Sequence, residues 1–158
     1  MSPFDVWLLA RSLRTLELRV KKHSENALKV AKFFENHPKI ERVYYLGLES
    51  SPYYELGQKL FVEGRCGDML SADIKGWKEA ASKFIAECET IKLVPSLAGV
   101  STTISYPGKT SHRAYSKEQM KACGITMGQL RIGLEDADTL LKSLKRLLIE
   151  YGLRHIRY

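Results

Sequence analysis

Several things are scarce in this sequence, and each scarcity narrows the possibilities. No apolar run is long enough to cross a bilayer, and the first residues lack the basic-then-apolar pattern of a signal segment. Cysteine is rare and odd in number. Cys66, Cys88 and Cys123 lie far apart, which disfavours a disulfide frame or a zinc site and favours reduced thiols in a cytoplasmic protein. No internal repeat or low-complexity segment appears. The formal charge of +7 raises the question of an acidic partner. Much of the excess sits in Arg11, Arg14, Arg19, Lys21 and Lys22, and again in Lys142, Lys145, Arg146, Arg154 and Arg157. Aromatic residues do not interleave with these groups as they do on nucleic-acid platforms, so they read as solvated helix faces. Neither a membrane nor a nucleic acid is expected as a partner.

At 158 residues, with 44% hydrophobic and 27% charged content, the chain has one domain's worth of sequence and enough apolar material for a core without staples. Ser2-Pro3-Phe4-Asp5 is a helix start, with a capping serine, proline at the first helical position and an acid in the first turn. Apolar residues recur at Leu9, Leu13, Leu16 and Val20, and again at Ala27, Leu28, Ala31 and Phe34 before Pro38. The spacing predicts one long helix over residues 3 to 36, with any bend at the polar patch His23-Ser24-Glu25-Asn26. A helix that long bridges two bodies, and Phe4, Trp7 and Leu8 on its first turns are expected to touch something outside the chain.

Beyond Pro38 the pattern alternates between strands and short helices. Strands are expected over Glu41–Leu46 and Met69–Ile74, with a short edge strand at Ile91–Val94. A short helix opens at Ser51-Pro52, and another runs from Trp77 to Glu87 with Trp77, Ala80, Ala81, Phe84 and Ile85 as its stripe. Ser116-Lys117-Glu118-Gln119 is a capping box, and Gly124 stands past the end of its helix. The last helix starts at Glu135-Asp136 and ends at Gly152, with Leu140, Leu141, Leu144, Leu147 and Leu148 as its stripe. Most strands alternate, so the expected fold is α+β, with a largely antiparallel, four-stranded, half-exposed sheet covered by helices on one face.

The stretch from Pro95 to Arg131 carries the chemistry. Ser96-Leu97-Ala98-Gly99 is a small-residue loop that lets a backbone approach something closely, and it runs into a strand that Pro107 stops. Gln129-Leu130-Arg131-Ile132-Gly133-Leu134 alternates as a strand and places Arg131 on one face with Gln129 and Gly133. A guanidinium is the natural two-pronged partner of a carboxylate, so a small acid held between this loop and the arginine is a coherent reading.

Taken together, these segments resemble the C-terminal domain of the pyridoxal-phosphate-dependent Cys/Met-metabolism enzymes, the trans-sulfuration family of cystathionine γ-synthases, cystathionine lyases, methionine γ-lyases and homoserine sulfhydrylases. Ser2-Pro3-Phe4-Asp5, Trp7-Leu8 and Arg11–Leu16 are similar to the family's SPFDxWLxLRGLKTL run. Arg19, His23, Asn26-Ala27, His37-Pro38 and Val43–Leu48 continue it, with Leu46 where the family usually has proline. Gly67-Asp68-Met69-Leu70-Ser71 resembles GGMLSF, with Asp68 in place of the second glycine. Ser96–Val100 resembles SLGGV, Pro107 and Thr110-Ser111-His112 fall at the spacing of PAxMTH, and Gly124-Ile125-Thr126 and Gly133–Asp136 resemble GIT and VGIED.

The resemblance implies the small domain of a fold-type I enzyme that uses pyridoxal 5'-phosphate and acts on sulfur amino acids. It implies substrate binding at Arg131, Ser96 and Leu97, the arginine clamping the α-carboxylate. Two counts bear on that arginine. From Gly124-Ile125-Thr126 it is Arg131; back from Gly133–Asp136 it is Gln129, because two residues are missing between Arg131 and Gly133. Removing two residues preserves strand parity, and a neutral glutamine is a poor clamp, so Arg131 is the preferred residue. Pro95, before the SLGG-like run, points to no particular member, and β- and γ-chemistry stay open.

A pyridoxal enzyme also needs a Schiff-base lysine, a carboxylate for the pyridine nitrogen and a phosphate cup. The family's SxTK-like lysine run and a Gly-rich phosphate loop are both missing from this sequence, and Lys109 reads as a solvated loop lysine. The 158 residues therefore resemble the small domain alone, either cut from a longer enzyme or encoded as a split or remnant product. The isolated chain is expected to be inactive and to carry no covalently bound cofactor. Its expected partners are the large pyridoxal-phosphate domain and further copies, a tetramer in the family. A stand-alone, non-enzymatic binding module is the alternative, and polyanion binding rests on charge alone. His112 with Ser111 and Thr110 reads as a loop anchor. Cys66 and Cys123 lack a paired base. Glu135, Asp136 and Asp138 fit compensation of a helix dipole better than a metal site.

Overall fold

The computed structural model describes residues 1–86, 88, 90–94, 99–125 and 128–153. Its helices are α1 (Pro3–Leu13), α2 (Leu16–Glu35), α3 (Tyr54–Leu60), α4 (Trp77–Ala86), α5 (Lys117–Ala122) and α6 (Ala137–Leu153). Its strands are β1 (Ile40–Tyr44), β2 (Met69–Ile74), β3 (Lys92–Leu93), β4 (Thr103–Ser105) and β5 (Gly128–Arg131), in the sheet order β1-β2-β5-β4-β3. The α+β class holds and most of the sheet is antiparallel as expected, but it has five strands rather than four and is mixed, because one of its four pairings is parallel. The pairs β1–β2, β2–β5 and β4–β5 are antiparallel, whereas Lys92 and Leu93 pair in parallel with Thr103 and Ile104. A two-residue strand is too short to show alternation, and its direction is set by its partner, which local sequence does not report.

One face of the sheet carries the core. Leu70, Ala72 and Ile74 of β2, Ile104 of β4 and Leu130 of β5 are buried against Ala27, Val30, Ala31 and Phe34 of α2, Phe84 of α4, and Leu140, Leu144, Leu147 and Leu148 of α6. Each large apolar side chain sunk here contributes roughly 1.5–3 kcal/mol. The opposite face is largely polar, and along β2 it is half-exposed, alternating strictly with the buried residues.

The capping box expected at Ser116 forms, and the capping serine expected at Ser2 turns out to belong to a full capping box with Asp5. Ser2 Oγ accepts from Asp5 N at 3.2 Å while Ser2 N donates to Asp5 Oδ2 at 3.0 Å, and Ser116 and Gln119 repeat the arrangement at α5. The long first helix, however, is two helices, and they part at Arg14-Thr15 rather than at the polar patch. Ser12 Oγ donates back to the Leu8 carbonyl at 2.8 Å, a contact that bends helices. Arg19 then spans the break, donating to the Ser12 carbonyl at 2.7 Å and to Thr15 Oγ1 at 3.2 Å. No residue of α1 is buried; Phe4, Trp7 and Leu8 are exposed, and so are Leu9, Leu13, Leu16 and Val20.

The polar patch is an anchor, not a bend. His23, Ser24 and Asn26 are buried within unbroken helix. His23 Nδ1 lies 2.7 Å from the Ile132 carbonyl, and Ser24 Oγ accepts from Gly67 N at 3.1 Å. Asn26 Nδ2 donates to the carbonyls of Gly133 at 3.0 Å and Glu135 at 2.8 Å. Three polar side chains thus bind α2 to the segment that follows β5 and to the loop that precedes β2. Asn26→Ala strips a buried and a part-buried carbonyl of their donor and is expected to destabilise the chain by about 2 kcal/mol in urea denaturation. Trp7→Ser on α1 is expected to move stability by less than about 0.5 kcal/mol. The reverse ranking would mean that the core lies on the other side of the break.

Candidate functional site

β5 is the middle strand, and its alternation decides what faces the polar side. Leu130 points into the core. Gln129 and Arg131 share the other face with their cross-strand partners: Ser71 and Ser105 for Gln129, Met69 and Thr103 for Arg131. Gln129 is half-buried and accepts from Ser105 Oγ at 3.2 Å. Arg131 is only 3% exposed, the one buried guanidinium among the described residues. A buried cation is costly unless it is paired. Here Nη1 donates to the Gly99 carbonyl and lies 3.4 Å from Asp68 Oδ2, while Nη2 donates to the Ser101 carbonyl. Nε is buried and has no partner among the described residues. The arginine therefore reaches the loop that follows Ser96 and still holds one unspent donor. Ser96 and Leu97, expected beside it, lie outside the described residues, as does Pro95.

The loop is strapped to the strand from below. β5 ends at Arg131 rather than continuing to Leu134, because the chain beyond it bonds to loops instead of strands. Ile132 N donates to the Asp68 carbonyl at 2.9 Å, and Leu134 N to the Val100 carbonyl at 2.8 Å. Thr102 Oγ1 accepts from Gly133 N and donates to Glu135 Oε2, each at 2.9 Å, and Thr102 N donates to Glu135 Oε1. Two glycines permit this closeness. A Cβ on Gly133 would lie 2.5 Å from Thr102 N and against the Val100 carbonyl, and one on Gly99 would lie 3.1 Å from Arg131 Nη2. Glu135, Thr102 and Asp68 all shape the site, and none was a candidate for it from sequence. Asp68 was visible only as a departure from glycine in the GGMLSF-like run.

The remaining candidates serve elsewhere. His112 Nδ1 lies 2.8 Å from Ser111 Oγ and meets the Tyr115 ring edge-on. Burial pushes the Cys66 thiol up, away from thiolate chemistry, and Cys123 is exposed. Asp136 caps α6, accepting from Thr139 N and Oγ1, and these bonds hold its carboxyl below the usual carboxylate range. No cluster of three or more His, Cys, Asp or Glu side chains able to hold a metal occurs among the described residues. The described residues do not fit pyridoxal phosphate either. The described lysine side chains are exposed except for half-buried Lys22 and Lys39, and Lys39 Nζ donates to the Leu148 carbonyl. A groove of about 630 Å³ beside β1 is lined by Arg42, Tyr44, Tyr45 and Tyr53 and by no lysine.

Gly133→Ala forces its new methyl into backbone, so the strap must open. The expected result is a loss of about 1–3 kcal/mol of stability, with faster hydrogen exchange at Thr102 and Leu134. Unchanged protection at both amides would show that the loop is not held through Gly133.

The sequence model of the Cys/Met metabolism PLP-dependent enzymes matches residues 1–148. The chain is 37% identical over 150 residues to the L-methionine gamma-lyase of Treponema denticola, covering 94% of this chain and 37% of that protein. It is 38% identical over 148 residues to the O-succinylhomoserine sulfhydrylase of Pseudomonas aeruginosa, covering 92% of this chain and 36% of that protein. The crystal structure of cystathionine gamma-lyase from yeast superposes with a TM-score of 0.87 at 35% identity, over 95% of this chain and 39% of that one. The chain thus spans little more than a third of the length of the relatives it matches.

Proposed function

Because the chain belongs to the family of Cys/Met metabolism PLP-dependent enzymes, we propose that it is the C-terminal, substrate-carboxylate-binding domain of a trans-sulfuration enzyme. The substrate class is a sulfur amino acid or its activated precursor: cystathionine, methionine or an acylated homoserine. The observation that carries the reading is Arg131, a buried guanidinium on the polar face of the central strand, aimed at loop 99–101 with its Nε uncommitted. Such a group binds a carboxylate through two parallel charge-assisted bonds and fixes its orientation. The loop carbonyls already hold the guanidinium in place, so little side-chain entropy is lost when the acid arrives.

Bound pyridoxal phosphate would supply the electron sink, and the residues described here contribute no lysine or phosphate cup to it. That chemistry belongs to a larger domain bearing the lysine, in the same polypeptide or in a partner. The unburied apolar side chains of α1, Phe4, Trp7 and Leu8 among them, form the face on which that domain seats, within a homo-oligomer. A stand-alone binding module leaves this face unexplained.

The test uses the chain assembled with its lysine-bearing domain. Arg131→Ala is expected to lower kcat/KM by about 2–5 kcal/mol, tens- to thousands-fold, with the cofactor still bound. Arg131→Lys recovers part of this, because a point charge cannot reproduce the two-pronged geometry. Gln129→Ala does little. If Gln129→Ala is the damaging change and Arg131→Ala the mild one, the assignment of the clamp is wrong.

A further inference from the structure

The carboxylate nearest Arg131 belongs to the chain itself. Asp68 stands just before β2, and its carbonyl accepts from Ile132 N, so the backbone on either side of the arginine's strand end is fixed to it. Its Oδ2 lies 3.4 Å from Arg131 Nη1 and 3.9 Å from His23 Nδ1. The imidazole is already committed, since that same Nδ1 lies 2.7 Å from the Ile132 carbonyl and must carry the proton that bonds it. Arg131 is therefore the main partner of Asp68. The contact is long, because charge-assisted N–H···O bonds settle near 2.7–2.9 Å. The side chain of Asp68 is 23% exposed while that of Arg131 is 3% exposed, so the acid can swing toward solvent and the guanidinium cannot.

We propose that Asp68 is the resident counter-ion of Arg131, which pairs with the guanidinium while no ligand is present and yields to an incoming carboxylate. The proposal rests on the reading of Arg131 as a carboxylate clamp. Two observations support exchange over a permanent pair. The pairing distance is loose, and the buried Nε, beside the Nη2 that Ser101 holds, remains without a partner when Asp68 is in place. An acid arriving at that open donor meets a second negative charge a few ångströms away, and its affinity falls accordingly. At an effective dielectric between that of a protein surface and that of water, the repulsion between two such carboxylates lowers affinity about tenfold. Asp68 thus sets how tightly the site takes an acid: a glycine there leaves the cation uncompensated, and the aspartate moderates it.

The test uses the 158-residue chain labelled with ¹⁵N, with sodium formate as the probe and sodium chloride at matched ionic strength as the control. Formate affinity is read from the amide shifts of Gly99, Ser101 and Ile132, and thermal unfolding checks that each variant is folded. Asp68→Asn is expected to bind formate about tenfold more tightly than the natural chain and to remain folded, with a lower melting temperature because the buried guanidinium loses its counter-ion. Adding Arg131→Gln to Asp68→Asn is expected to abolish binding, with Arg131→Lys as the replacement if the glutamine variant does not fold. If Asp68→Asn binds no more tightly while the arginine substitution abolishes binding, the clamp stands and the counter-ion proposal is overturned. If formate binds equally well without the arginine, or binds no variant, both the clamp and the proposal fail.

Discussion

A buried guanidinium must be satisfied, and much of this molecule is arranged to satisfy one. Arg131 sits on the middle strand, where its backbone is fixed by ladders on both sides. Its charge is out of water, so the surrounding chain supplies acceptors: the carbonyls of Gly99 and Ser101, and the carboxylate of Asp68. Those carbonyls converge only because the loop is folded back on the strand end, through Thr102, Glu135 and the Cβ-free space at Gly133. The strand end is fixed in turn by His23 and Asn26 of α2. The polar network runs unbroken from helix to strand to loop, and it lies beside the apolar core rather than inside it.

The arrangement separates two tasks. The core face of the sheet supplies stability through aliphatic burial, and the opposite face carries Arg131 with its acceptors. A side chain on a central strand is aimed more firmly than one on a loop, which suits a group meant to orient a ligand. α1 stands apart from both faces. It has a well-formed cap and an apolar surface, yet buries nothing in its own chain. It is stabilised locally at its first turn, by its cap rather than by burial.

Much of this was legible in the sequence, and particular residues show where legibility ends. The cap at Ser2 and the capping box at Ser116 are local, needing only residues three apart, and both formed; the reciprocal bond from Ser2 N to Asp5 goes beyond the capping serine and first-turn acid that were expected. The alternation in β2 and β5 placed Arg131 and Gln129 on one face, as parity requires. The break at Thr15 was missed because leucines at helical spacing run straight across it, and spacing alone does not reveal a hydroxyl bonding back to a carbonyl. The patch around His23 was misread for a related reason. Polar residues in a helix look like a solvent face or a bend until their acceptors are known, and those acceptors lie more than a hundred residues away at Ile132, Gly133 and Glu135. β3 lies at the sheet edge as expected, but its parallel direction could not be read locally, since strand direction is a tertiary fact. Asp68 was seen as an oddity but not as a partner, because nothing local links it to an arginine in another strand.

If Arg131 is held ready for a carboxylate, as proposed, the most direct measurement is a crystal structure of the chain assembled with a lysine-bearing domain of the family and soaked with L-methionine. The predicted result is a carboxylate bonded to Arg131 through Nε and a second guanidinium nitrogen at about 2.7–2.9 Å, with Asp68 turned away. A carboxylate bound to Gln129, or one seated elsewhere while Arg131 keeps all its present partners, would contradict the account.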